Sequence, residues 1–210
     1  MSKDTNLLDS WHHIASLREN TYNWKLEVPK IEKIKGILDD LHIYSPSKQK
    51  GVRYHIEVYR NDDEENKKKI YRAHVASLRE NSRHNPQVLA PWLLFFRPRF
   101  FDSGVETDSN KKTKKDNPQM WVDFYMDVGI ATSHIIYSAT SRGLDTGLCR
   151  CVIFKDLIID IIGYEPELVI GIGYKNNNKF YKCLHYNKMV KIPDSNFDQK
   201  PDMNEYIRFI

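Results

Sequence analysis

The residues with chemistry to offer in this chain are three cysteines, a histidine pair and a lysine-rich stretch, and their spacing narrows what each can do. Cys149 and Cys151 stand two apart and Cys183 stands alone. C-x-C matches neither a zinc ribbon nor a redox C-x-x-C pair, so the three read as reduced thiols. His12 and His13 are neighbours on a helical stretch, where adjacent side chains point about 100° apart, which rules out a shared metal. His134 reads as a packed or surface imidazole. The sequence holds no G-x-S-x-G, no P-loop, no H-E-x-x-H and no G-x-G-x-x-G; Gly171-Ile172-Gly173-Tyr174 lacks the third glycine and the helix that must follow it. Arg18 ends an amphipathic stretch, where a cation complements the helix dipole.

Positioning such residues takes a folded frame, and the composition supplies one. The 210 residues are 40% hydrophobic and 12% aromatic, enough for a core and the length of one domain. The net charge of +4 is too small an excess to indicate nucleic acid. No run of about 18 apolar residues suits a membrane span, and the N-terminus lacks the order of a secretory signal, so the expected compartment is the cytoplasm.

Leu7, Leu8, Trp11, Ile14 and Ala15 predict a helix over 5–17, and Ile31, Ile34, Ile37, Leu38 and Leu41 predict a second one opened by Pro29. Val52, Tyr54, Ile56 and Val58 alternate as a half-buried strand. The acids and lysines of 62–69 form a solvated turn or the start of a helix. Residues 91–97 form an apolar run that suits a strand buried on both faces. The polar stretch 102–118, with Lys111, Lys112, Lys114 and Lys115, reads as a lid-like or disordered loop. Residues 119–142 predict a long helix threaded with small residues and ended by Gly143, placed at the centre of the fold or at a dimer interface. Cys149–Phe154 reads as a strand edge, 155–163 as a short helix, 167–174 as a buried strand, and 188–210 as a C-terminal arm. The order implies an α+β fold of helices on a mixed sheet.

Four pieces in order carry a resemblance: Ser16–Trp24 ahead of a Val-Pro helix, Tyr44–Ser47 before a strand, Asp127–Leu148, and Glu167–Tyr174. Together they resemble the FMN-dependent nitroreductase and flavin-reductase family over roughly residues 5–205. The resemblance implies one domain over 1–210 and a homodimer, with the long central helix at the interface and FMN held by both subunits. It places Arg18 at a phosphate position with Asn20 and Tyr22 beside it. Pro46 and Ser47 fall in a segment crossing from the partner toward the flavin, with Lys50 near its pyrimidine edge. Leu148, Cys149, Arg150 and Cys151 fall on the strip that lies along the ring and donates a backbone N–H to N5. Arg83 falls near the ribityl chain, and Lys200 is the candidate for the last phosphate cation.

The implied activity is hydride transfer from NADH or NADPH through FMN to a small acceptor, nitroaromatic, quinone or flavin, in a ping-pong cycle. Because flavin carries the chemistry, no catalytic side chain is implied. The departures from the family pattern at Lys50, Val52, Cys151 and Gln199 leave one alternative, a flavin-binding or flavin-free relative that keeps the dimeric scaffold without catalysis.

Overall fold

The computed structural model describes residues 3–47, 51–74, 85–102, 105–107, 117–177, 180–183 and 188–191, with side chains over 10–47, 51–74, 85–100 and 117–177. Helix α1 (Lys3–Leu17) is followed by an extended segment and by α2 (Ile31–Tyr44), which buries Ile34, Ile37 and Leu41 as its apolar spacing requires. Pro29 lies just outside α2, since Lys30 is the N-cap, and its carbonyl accepts from Trp92 Nε1 at 2.8 Å. Strand β1 (Tyr54–Arg60) leads into α3 (Glu64–Ala73). The acid-then-lysine block is therefore a helix: the Asp63 carboxylate accepts from the N–H groups of Glu65 and Asn66, capping it, and Ile70 and Tyr71 turn inward.

A 3-10 helix (Pro86–Leu89) precedes β2 (Trp92–Pro98), and β3 (Phe100–Asp102) pairs with β4 (Val105–Thr107). The polar stretch expected as a loop from 102 thus opens with a short hairpin. The long helix α4 (Pro118–Ser141) has Pro118 in its first turn, and the Asn117 side chain accepts from Met120 N–H. It closes at Gly143, whose φ of 69° is the left-handed conformation glycine adopts without strain. Then come β5 (Asp145–Cys149), α5 (Lys155–Ile162), β6 (Leu168–Gly173) and a hairpin of β7 (Phe180–Cys183) and β8 (Lys188–Lys191). The last of these lies where the C-terminal arm was expected to begin; 192–210 are outside the described residues.

The expected strand over Cys149–Phe154 is corrected. β5 ends at Cys149, and the apolar residues after it turn away: Val152 N–H bonds Arg150 C=O at 3.1 Å, and the N–H groups of Ile153 and Phe154 both reach Ala73 C=O at the end of α3. Of the run only Val152 packs against the α3–α5 cluster, while Ile153 and Phe154 are exposed.

The main sheet runs β1-β2-β6-β5 with all three pairings antiparallel. Its mixed character comes from the segment after α1, where Asn20 bridges Thr146 in parallel and Trp24 bridges Lys175 in antiparallel sense. Both faces are covered, as the continuous apolar sequence of β2 demands. Trp92, Leu94, Phe96, Ile170 and Ile172 join the cluster of α2 and α4, whereas Leu93, Phe95 and Val169 join that of α3, α5 and the 3-10 helix. Each such fully buried side chain contributes about 1.5–3 kcal/mol.

Helices α2 and α4 are also tied by charge. Arg142 Nη1 donates to Asp40 Oδ2 at 2.7 Å and Ser138 Oγ donates to the same oxygen at 2.7 Å, while Arg142 Nη2 donates to Gly36 C=O at 3.1 Å. The Arg142 hydrogen bond, helped by Ser138, holds the Asp40 carboxyl below its ordinary range. Of the small residues in α4, Ala131, Ser138 and Ala139 are buried, and Gly129 and Ser133 are exposed.

Candidate functional site

The outer edge of β5 would be an open row of peptide groups, and the segment after α1 covers part of it. Thr21 N–H donates to Thr146 C=O at 2.8 Å, and Leu148 N–H donates to Asn20 Oδ1 at 2.8 Å. Further along, Lys25 N–H reaches Tyr174 C=O at 2.8 Å, and Asn23 and Asn176 exchange two bonds of 2.6 and 2.9 Å. Lys175 N–H donates to Asp145 Oδ2, and its Nζ pairs with Glu19.

Trp24 anchors this segment, and three glycines make room for it. Gly147 and Gly171 face each other across β5 and β6, with Gly173 two residues on. A Cβ on Gly147 would meet Thr21 C=O at 2.1 Å, one on Gly171 would meet Gln87 C=O at 2.3 Å, and one on Gly173 would lie 3.0 Å from the Trp24 ring. The indole Nε1 donates to Pro86 C=O at 3.0 Å. The glycines of the Gly171–Tyr174 motif are thus a floor for the chain's own Trp24 and 3-10 helix, which spacing alone did not reveal; their cross-strand register was the missing signal.

Beyond Leu148 the cover stops. Strand alternation puts the peptide groups of Thr146, Leu148 and Arg150 on this outer edge, and the C=O of Arg150 is spent on Val152. The Arg150 N–H makes no hydrogen bond among the described residues. The Arg150 side chain folds back instead: its Nη2 donates to Tyr125 Oη at 3.0 Å and lies 3.5 Å from Glu167 Oε2, its guanidinium carbon stands 4.9 Å from the Tyr125 ring centre, and Tyr125 Oη–H donates to Glu167 Oε2 at 2.8 Å. Neither Tyr125 nor Glu167 was singled out in the sequence.

Cys149 faces the α3–α5 cluster, where burial pushes its thiol up to about 11, so it stays protonated near neutral pH. Cys151 is exposed. Arg18 is exposed at the end of α1, two residues before Asn20, and has no ion-pair partner among the described residues. Tyr22 is half-buried on the same segment. The structure therefore joins Asn20 to Thr146 and Leu148, with Arg18 and Tyr22 within two residues of Asn20 and Cys149, Arg150 and Cys151 directly after Leu148. Pro46 and Ser47 lie past the end of α2, where the returning Arg53 N–H bonds Asp127 Oδ2 in α4; among the described residues nothing bonds them to that edge. Lys50, Arg83 and Lys200 fall outside the described residues, as do Lys111, Lys112, Lys114 and Lys115. Where the chain passes from the strip to α5, at the end of α3, a depression of about 490 Å³ is lined by Arg72, Ile153, Phe154, Lys155, Asp156 and Leu157.

No family model and no curated protein matches this sequence. Solved structures do match. The FMN-dependent nitroreductase NfnB of Mycobacterium smegmatis, solved in complex with NADPH, superposes with a TM-score of 0.65 at 13% identity, covering 97% of this chain and 99% of its own. The chain has the nitroreductase fold. A nitroreductase family protein from Streptococcus pneumoniae TIGR4 gives 0.63 at 12% identity over 95% and 100% of the two chains, and an FMN-dependent nitroreductase from Clostridium difficile R20291 gives 0.55 at 19% over 91% and 94%. The expected α+β architecture with a long central helix is that of these nitroreductase-like structures.

The donor set of the edge fits a phosphorylated planar ring rich in acceptors. Among the described residues the Arg18 guanidinium has no ion-pair partner, Asn20 accepts from Leu148 through Oδ1 with its amide N–H groups as further donors, and the Arg150 N–H makes no hydrogen bond.

Proposed function

We propose that this chain is an FMN-dependent oxidoreductase that uses NADH or NADPH to reduce a small acceptor such as a nitroaromatic, a quinone or a flavin. The observation that carries the reading is the half-covered edge of β5, with Arg18 and Asn20 at one end and the Arg150 N–H at the other. The nitroreductase fold of the neighbours supports it. FMN, when bound, supplies a ring that accepts and passes on hydride.

The chain's own residues bind and orient. Arg18 contributes charge-assisted hydrogen bonds to a phosphate, and Asn20 both fixes the strip through Leu148 and donates beside it. The backbone of 148–151 presents the Arg150 N–H, the Leu148 N–H being held by Asn20, and Cys149 and Cys151 contribute no thiol chemistry. Pro46, Ser47 and Lys50 reach the ring from a second copy, and Arg83 and Lys200 complete the ribityl and phosphate contacts. The depression at Arg72 and Phe154, whose lining follows the strip in the chain, is assigned to the second substrate.

Residues 1–210 form one domain, and the protein works as a homodimer. Exposed Val122 and Met126 share a face of α4 with Gly129 and Ser133, a surface on which a second helix can approach closely. Among the described residues no helix is long and apolar enough to cross a membrane, and the cytoplasm is the proposed compartment.

The test is an absorbance spectrum from 300 to 550 nm of purified protein, before and after FMN is added and the excess removed, then anaerobically with NADPH or NADH. The expected result is flavin bands that persist and bleach. A spectrum flat at every stage sinks the reductase reading in favour of a flavin-free scaffold.

A further inference from the structure

Arg150 stands where the backbone of the strip needs to present an N–H, yet its side chain is not directed along the edge. It lies against α4 and the approach to β6, with 60% of the side chain exposed. Three contacts hold it: the 3.0 Å bond to Tyr125 Oη, the 3.5 Å approach to Glu167 and the stacking over the Tyr125 ring at 4.9 Å. The anchor is itself fixed. Tyr125 packs against Trp121 and Phe124, and Glu167 receives the Tyr125 hydroxyl proton at 2.8 Å while its N–H bonds Phe96 C=O at 2.8 Å. Across from this, the strip has its last backbone tie to the sheet at Cys149, and only the tight Val152-to-Arg150 bond shapes the turn beyond.

We propose that Arg150, gripped by Tyr125 and Glu167, is a positioning residue that sets the orientation of the 149–152 backbone and so the aim of its N–H toward the bound ring. The assignment rests on the flavin reading. It makes a distinction that charge alone does not: a planar guanidinium bonds Tyr125 and stacks on its ring at once, whereas a lysine ammonium keeps the charge and loses that fork. Tyr125 acts through Arg150 and not on the ligand.

The experiment uses the full chain as wild type, Arg150→Ala, Arg150→Lys, Tyr125→Phe and the Arg150→Ala/Tyr125→Phe double variant. FMN affinity is measured by fluorescence quenching, and amide hydrogen exchange of 148–152 is followed in the flavin-free protein. Arg150→Ala, Arg150→Lys and Tyr125→Phe are expected each to weaken FMN binding about three- to tenfold, the worth of one ordinary hydrogen bond. The double variant is expected to be no worse than the weaker single one, because the two residues act as a unit. Exchange over 148–152 rises in the same variants with no change in melting temperature.

Full retention of FMN affinity by Arg150→Lys overturns the positioning role in favour of charge alone. Unchanged exchange in every variant overturns it as well. FMN affinity that is the same in all five proteins sustains the flavin reading and removes Arg150 from it. Raised exchange in the variants, with no FMN taken up even by wild type, supports the lock and overturns the flavin reading instead.

Discussion

Two stretches of the same sheet margin, a few residues apart, are put to opposite uses. Around Trp24 the margin is sealed: three glycines, the indole and the 3-10 helix close on one another, with carbonyl oxygens where a Cβ of Gly147 or Gly171 would stand and the Pro91 and Trp24 rings against Gly173. Around Arg18, Asn20 and Arg150 it is open, with a guanidinium at one end and a peptide N–H at the other that the described residues leave unbonded. Glycines at a strand mark a place where something approaches closely. In this chain that something is its own Trp24 segment and 3-10 helix, and the proposed ligand edge lies on the neighbouring stretch that carries side chains.

If the sealed region is structural, breaking it costs stability first. Gly171→Val drives a branched side chain into Gln87 C=O, which lies 2.3 Å from the Cβ position, and is expected to destabilise the fold by about 3 kcal/mol or more. Urea unfolding measures it, and a loss under 1 kcal/mol would mean the 3-10 helix moves aside and the seal is loose.

The same side of the sheet holds a pH-sensitive element. His74, fully buried at the end of α3, has Nδ1 at 2.8 Å from Ile70 C=O, has no partner for Nε2 among the described residues, and its backbone carbonyl accepts from Asn85, which leads into the 3-10 helix. Burial lowers its pKa from 6.5 to about 4. The folded state therefore holds fewer protons than the unfolded one, and the contribution is complete above pH 6.5 and lost as pH falls toward 4, on the order of 3 kcal/mol. Unfolding of wild type and His74→Leu at pH 7, 5.5 and 4.5 checks it. The expected result is a shallower fall of stability with acid in the variant, and parallel falls would show that carboxylates alone set the acid sensitivity.

The contrast explains what could be read from the sequence. The stripe of α2, the doubly buried β2 and the length of α4 were legible because burial on one or both faces imposes a period on the residue types. β5 was not, since Asp145-Thr146-Gly147-Leu148-Cys149 has no apolar alternation and a single β-branched residue, and the apolar run after it forms the turn tied to the end of α3. The β3–β4 hairpin was hidden by strands of three residues. At the site, the ordered resemblance named Arg18, Asn20 and the 148–151 strip, and of these Asn20 and Leu148 are hydrogen-bonded in the fold. It missed the Tyr125–Glu167 grip on Arg150, whose partners stand 25 and 17 residues away and belong to different elements. Such a contact has no local signature.

The open region should behave in the inverse way to the sealed one. Arg18→Ala is expected to weaken FMN binding by about 1.5–3 kcal/mol, the range for hydrogen bonds to a charged group, while leaving stability within about 0.5 kcal/mol because the side chain is exposed. Flavin titration and urea unfolding of one preparation measure both quantities. Equal losses in the two would place Arg18 in the fold and not at a ligand.

Asn20 sits on the boundary between the regions, so its effect is the smallest and the most informative. Its Oδ1 is the acceptor for Leu148 N–H at 2.8 Å, and its amide N–H groups are the donors the proposal assigns to the phosphate. Asn20→Ala removes one exposed hydrogen bond, and the expected loss of stability is about 0.5–1 kcal/mol. Asn20→Asp keeps the acceptor and discards the donors, so stability should return to within a few tenths of a kcal/mol while FMN affinity falls further than in Asn20→Ala, through repulsion between the carboxylate and a phosphate. If Asn20→Asp restores flavin affinity together with stability, the residue serves only to pin the strip, and the anion at the head of the edge is held by Arg18 without it.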